Sequence, residues 1–187
     1  MSIGIIKGTT TFLLILMVSC SFDYEEAMVE ESLSATTPES ILIGLSQTIV
    51  KEGRTKLTLE ADRAEYYKDT KKTIAKGVRF LELDRDGNRL AEGRADRAVY
   101  FTDTEDAEFS GNVYLYSAKE ETSVSTETIK WENEERYLST PEDVGVILKK
   151  DDGSFLEGRG FKANLRRREI QFAGAVNGYY LISEEDK

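Results

Sequence analysis

Ala61-Asp62-Arg63-Ala64, followed by Tyr66, Asp69-Thr70, Gly77 and Leu81, is written a second time 34 positions later as Ala95-Asp96-Arg97-Ala98, Tyr100, Asp103-Thr104, Gly111 and Leu115. Nine of 21 aligned positions are identical, more than chance yields in a chain of mixed composition. A weaker echo follows: Gly93-Arg94 with Ala98 resembles Gly158-Arg159 with Ala163, and Phe109-x-Gly111-x-Val113 resembles Phe172-x-Gly174-x-Val176. Repeats of this length are stacked supersecondary units that share a core none of them buries alone.

The unit is a hairpin. From Ile41 onward the hydrophobic period is two: Leu57, Leu59 and Ala61 alternate with Thr58, Glu60 and Asp62, as do Val144, Val146 and Leu148, and later Ile170 and Phe172, with their neighbours. Turn signals stand at 51–53, 69–70, 86–88, 103–104, 133–134, 151–153 and Asn177-Gly178. Each repeat reads as a strand through Ala-Asp-Arg-Ala-x-Tyr, a tight turn at Asp-Thr and a return strand through Gly-x-x-x-Leu. The chain is therefore all-β, and its stacked antiparallel hairpins leave open edge strands at both ends. Val113-Tyr114-Leu115-Tyr116 and Tyr179-Tyr180-Leu181-Ile182 are apolar on both faces. Either aromatic side chains coat the outer surface of the sheet, or the interior is left unfilled for an apolar ligand; periodicity does not choose.

Composition removes whole classes of chemistry. The 187 residues include no His and one Cys. That excludes His-based acid–base catalysis, Ser-His and Cys-His nucleophile pairs, thiolate zinc sites and internal disulfides. A net charge of -10 argues against nucleic acid, which needs a surplus of Lys and Arg. Asp84-x-Asp86-Gly87-Asn88 lacks the Glu that a calcium loop places at its twelfth position, occupied here by Ala95, and reads as a turn. Carboxylate pairs can be drawn almost anywhere in so acidic a chain and carry no information. Arg166-Arg167-Arg168 reads as a solvated strand start or hairpin, with an electrostatic contact to a lipid phosphate or an acidic partner as the alternative, and Trp131 reads as a core residue. Neither an enzyme nor a metal or cofactor site emerges.

The N-terminus has its own logic. Residues 1–19 read as an export signal, with Lys7 before the apolar run 12–18, which is shorter than the roughly 20 residues a membrane span needs. Ser19-Cys20 at its end resembles the cleavage site of a bacterial lipoprotein signal, which makes Cys20 the lipidation site; an uncleaved anchor with an incidental Cys is the alternative. Residues 20–40 follow as an acidic tether, with Asp23, Glu25, Glu26, Glu30, Glu31 and Glu39 among Ser, Thr and Ala. Residues 41–187 form the β domain.

Three segments carry a family resemblance. Glu52-Gly53-x5-Leu59-x-Ala61-x3-Glu65-Tyr66-Tyr67 resembles the first segment of LptC, the membrane-anchored periplasmic component of lipopolysaccharide export. Gly111-Asn112-Val113 resembles the hairpin exits of the wider family with LptA and the periplasmic part of LptD. Trp131-x-Asn133-x5-Ser139-Thr140-x3-Val144 with Gly153-x4-Gly158-x-Gly160-Phe161-x-Ala163 resembles the C-terminal half of LptC. The resemblance covers about 49 to 176 and rests on the order and spacing of the segments rather than on any one motif.

The resemblance implies a twisted, boat-like β-jellyroll with a hydrophobic groove and no chemistry of its own. It implies a component that accepts lipopolysaccharide from an inner-membrane ABC transporter of the LptB-LptF-LptG type and passes it to an LptA-like bridge protein by edge-strand addition. Leu57, Leu59, Phe80, Val113, Leu115, Val146, Phe161 and Phe172 are the expected groove residues, shielding the acyl chains of lipid A. Gly53 and Gly160 are the expected assembly glycines, with Ile170, Phe172 and Val176 on the partner edge. The expected location is the periplasm, anchored to the inner membrane through Cys20. The outer membrane is the alternative, because Ser21 supplies no Asp-type retention signal. The competing readings are a structural or interaction lipoprotein that uses the sheet without cargo, and a soluble bridge of the LptA type.

Overall fold

The computed structural model describes residues 37–181; the signal, Cys20 and nearly all of the tether lie outside the described residues. Twelve strands follow one another: β1 (Ser40–Lys51), β2 (Arg54–Tyr67), β3 (Lys72–Leu83), β4 (Arg89–Phe101), β5 (Asp106–Ser117), β6 (Thr122–Glu132), β7 (Tyr137–Ser139), β8 (Gly145–Lys150), β9 (Phe155–Arg159), β10 (Lys162–Asn164), β11 (Glu169–Gln171) and β12 (Asn177–Tyr179). Every pairing is antiparallel, and β1 to β6 each pair with the next in sequence. The two long repeats are the hairpins β2–β3 and β4–β5, turning where Asp-Thr predicts.

Beyond β6 the sheet divides. Thr122 to Thr126 of β6 pair with β8, while Lys130 to Glu132 pair with β7. One branch continues through β7, β10 and β11, the other through β8, β9 and β12. Among the described residues this leaves three open edges, at β1, β11 and β12. One expected turn is corrected: Asn177-Gly178 lies in β12, paired with Glu157 and Leu156 of β9. Gly178 is required there because an added Cβ would run into the backbone oxygen of Phe155.

The doubled motif is a kink shared by neighbouring strands. Ile43 faces Arg63 and Leu45 faces Ala61, so Gly44 of β1 stands across from Asp62 of β2. Asp62 in turn lies between the partners of Lys76 and Arg79, across from Gly77 of β3. Gly77 lies between the partners of Arg97 and Ala95, across from Asp96 of β4. Gly44, Gly77 and Gly111 all have φ in the left-handed region, at +63°, +62° and +77°, where a side chain would be strained.

The kink lets both halves of each strand present apolar residues to one face. Ala61 and Ala64 are both buried, as are Ala95 and Ala98, while Asp62-Arg63 and Asp96-Arg97 point the other way. A spacing of three replaces the alternation of two at that place only. Buried residues gather in two clusters. Ala95, Val113, Ile129, Val146, Leu148, Phe161 and Ala163 form the larger, toward the C-terminal half. Ala61, Val78 and Ala98 form the smaller.

Candidate lipid-binding groove

The inner face of β1 to β5 bounds a half-open cavity of about 810 Å³. Strand register arranges its lining in tiers. Ile49, Leu57 and Glu82 stand in line at one end, with Lys56 beside them; Gln47, Leu59 and Phe80 form the next tier. Leu42, Ala64, Ala75, Ala98 and Phe109 follow beyond the kink, each opposite the next. Ser40, Tyr66, Thr73, Tyr100 and Ala107 close the far end. The cavity exists because small residues occupy its middle: Ala64, Ala75 and Ala98 hold cross-strand positions that larger side chains would fill. Tyr66 and Tyr100, the matching tyrosines of the two repeats, share the far tier across Thr73.

Polar groups sit at the two ends, Lys56 and Glu82 at one and hydroxyl groups at the other. Partial burial pushes the Tyr100 hydroxyl pKa up, with the nearby Glu105 carboxylate adding to it; at neutral pH Tyr100 is therefore a neutral hydrogen-bond donor. The middle is hydrocarbon. Such a site suits a ligand with an apolar body and polar ends, and it offers no nucleophile–base pair. Among the described residues no group of three His, Cys, Asp or Glu side chains is placed to hold a metal ion. The turn at Asp84 is explained by its own hydrogen bonds, with Oδ1 accepting from the backbone N–H of Asp86 and Asn88 at 2.8 and 2.9 Å.

A glycine marks where the cavity stops. Phe80 of β3, Gly93 of β4 and Leu115 of β5 are directly opposite one another, and a Cβ on Gly93 would lie 2.7 Å from Leu115 Cδ2 and collide with Phe80. The two side chains thus close over Gly93 and separate the open space from the packed cluster. The fainter echo works alike: a Cβ on Gly158 would lie 2.6 Å from Phe172 Cδ1, and Phe172 meets Phe161 at a centroid distance of 5.6 Å.

Of the expected groove residues, Leu57, Leu59 and Phe80 line the cavity. Val113, Val146 and Phe161 are 1–2% exposed within the larger cluster, and Leu115 and Phe172 pack against it. Gly53 lies in the β1–β2 turn at φ +75° with open space around it, beside the edge strand. Gly160 is in the turn between β9 and β10, where a Cβ would lie 2.5 Å from that of Ala173. Ile170 is in edge strand β11 and Val176 directly precedes β12; both are exposed. Sequence reading passed over Ala64, Ala75 and Ala98. The available signal was their smallness at inward positions beside large apolar neighbours.

Edge strand β1 completes the geometry. Ser40 to Val50 contains no charged residue or proline, and Ile41, Leu42, Ile43, Ile49 and Val50 are exposed. A long, apolar, unpaired edge is a template for strand addition. Its inner face is also one wall of the cavity.

The model of the LptC-related family, described as lipopolysaccharide-assembly, matches residues 10–181. The chain belongs to the LptC-related family. The order of segments inferred from Glu52 to Ala163 is thereby explained, and LptC-related proteins are periplasmic, non-enzymatic components of lipopolysaccharide transport. A solved structure with a similar arrangement is LptH, the LptA-homologous periplasmic component of the lipopolysaccharide transport device of Pseudomonas aeruginosa. It has 10% identity and a TM-score of 0.31, over 80% of this chain and 99% of that one. No curated protein matches the chain. No helix among the described residues is long and apolar enough to cross a membrane.

Proposed function

We propose that this LptC-related chain accepts lipopolysaccharide from an inner-membrane ABC transporter, holds its acyl chains in the cavity between β1 and β5, and passes it to an LptA-like bridge protein. The observation that carries the proposal is the apolar cavity of about 810 Å³ floored by alanines. Its volume falls within the range of roughly 300–1,000 Å³ typical of ligand sites. Burial of acyl surface supplies the affinity, at about 25 cal/mol per Å², while the sugar headgroup stays at the polar ends. The open edges at β1 and at β11 or β12 suit a conduit built by strand addition, with the first edge toward the transporter and the last toward the bridge.

Membrane anchorage through lipidated Cys20, on the inner membrane, belongs to the same proposal. Di- or triacylation contributes about 0.8 kcal/mol per buried CH₂ and would hold the chain firmly. The reading without cargo requires a filled interior between β1 and β5, which the cavity disfavours. Photo-crosslinking from Leu59, Phe80 or Ala75 in cells tests the cargo directly. Lipopolysaccharide adducts from these positions, and none from Ile147 on the opposite face of β8, are expected; adducts from neither set would sink the proposal. Labelled palmitate incorporation that depends on Cys20 tests the anchor.

A further inference from the structure

The face of β1 to β4 turned away from the cavity has a pattern that lipid carriage does not use. Ile43, Arg63, Lys76 and Arg97 stand directly opposite one another on four neighbouring strands. The next line on the same face is Ile41, Glu65, Ile74 and Val99, and the one after it Tyr67, Lys72 and Phe101. Alternation places all of these on the side opposite Leu42, Ala64, Ala75 and Ala98.

Like charges directly opposite on paired strands repel, yet three cations lie in line here in a chain of net charge -10. Arg63 is neutralised by Glu65 at 2.6 Å, and Lys72 Nζ lies 5.6 Å from the Tyr67 ring centroid. Among the described residues, Lys72, Lys76 and Arg97 make no ion pair. Of the nearby acids, Glu65 also accepts from Tyr67 and Asp96 accepts from Asn112 at 2.7 Å, while Glu108 of β5 stands opposite Val99. Beside the cations Ile43 is 79% exposed and Ile41 46%, while Val99 on the same face is buried. At the adjoining turn Lys68 pairs with Glu39 at 3.8 Å and Lys71 with Asp103 at 3.9 Å.

We infer that this outer face of β1 to β4 docks on a bilayer surface carrying anionic headgroups. Lys72, Lys76 and Arg97 contact lipid phosphates, and Ile41 and Ile43 enter the headgroup layer. Cations beside exposed aliphatic side chains match the chemistry of such a surface, with charge outside and hydrocarbon beneath. In a chain of net charge -10, such a face favours one orientation on an anionic bilayer. The cavity stays turned away from the lipid and open to cargo. Because the face lies opposite the cavity, the test is independent of whether the cavity carries lipopolysaccharide.

The full chain carrying Ile43→Trp is reconstituted into phosphatidylcholine vesicles with brominated acyl chains, with or without phosphatidylglycerol, and its fluorescence is read against the unsubstituted chain, which retains Trp131. Ile41→Trp serves as a second probe, and circular dichroism checks that both fold. Bromine quenching that requires phosphatidylglycerol is expected. It should weaken about fivefold for each cation removed in Lys76→Gln and Arg97→Gln. Equal quenching in both vesicles, no quenching by a folded probe, or quenching indifferent to the Gln substitutions overturns the inference. Binding of soluble polyglutamate by this face without vesicle contact would assign it to an acidic protein and overturn it equally.

Discussion

The carboxylate of Asp62 rests over Gly77 of the neighbouring strand, in the space that a Cβ on residue 77 would need. The second repeat reproduces the relationship: a Cβ on Gly111 would lie 2.6 Å from Asp96 Oδ2. Both glycines have positive φ, so residue type is constrained twice, by backbone conformation and by the aspartate above. Gly77→Ala and Gly111→Ala should each destabilise the fold by about 1–3 kcal/mol, seen as a lower urea midpoint. Asp62→Ala should recover part of the loss in Gly77→Ala and none in Gly111→Ala, because it removes only the collision at the first site. Additive effects at the first site would show that the pair is not coupled.

The alanine floor makes a prediction about capacity. Ala75→Phe places a ring between Ala64 and Ala98 in the middle of the cavity. Binding of a fluorescent acyl probe should be lost while thermal unfolding shifts by no more than about 1–3 kcal/mol. Retained probe binding in the folded variant would place the acyl chains elsewhere.

Phe161 should behave as core. It is 2% exposed and meets Phe172 within the larger cluster. Phe161→Ala should cost about 3–5 kcal/mol by chemical denaturation. Leu57→Ala, at the half-open end of the cavity, should cost clearly less. Similar losses at the two positions would mean that the cavity end is packed as tightly as the cluster.

Acid should weaken the fold through three carboxylates. Hydrogen bonds from Arg63 and then Tyr67 hold Glu65 below the ordinary carboxylate range, as the Asn88 backbone N–H does Asp84 and the Ser154 N–H Asp152. Since the folded values are depressed, this stability is present above the unfolded carboxylate range and is lost as pH falls through the folded values. Asp84→Asn should therefore lower the melting temperature at neutral pH, and the gap should close toward strongly acidic pH. A gap that stays constant or widens in acid would contradict this assignment.

The hairpins were legible because each carries its own signals. Apolar alternation, Asp-Thr turns and the doubled Ala-Asp-Arg-Ala are local, and β2–β3 and β4–β5 lie where those signals put them. Asn177-Gly178 misled because the same dipeptide that favours a tight turn also suits a strand whose backbone must pass close to Phe155. Leu57, Leu59 and Phe80 were readable as inward by parity, yet Val113 and Val146 have the same parity and lie in the packed cluster. Parity says which face a side chain takes, not whether that stretch of the face is covered.

Sequence alone determined the class of the molecule: all-β, built from repeated hairpins, and of the LptC-related family. These properties depend on residue type and short spacing, which the chain states directly. Tertiary structure decided where the interior is empty and where it is full. That depends on the line-up of Gly44, Asp62, Gly77 and Asp96 across four strands, which folds both strand halves toward one face, and on Ala64, Ala75 and Ala98 meeting in register. It depends equally on Phe80 and Leu115 closing over Gly93. Register between strands sets those meetings, and it is fixed by the packing of the whole sheet.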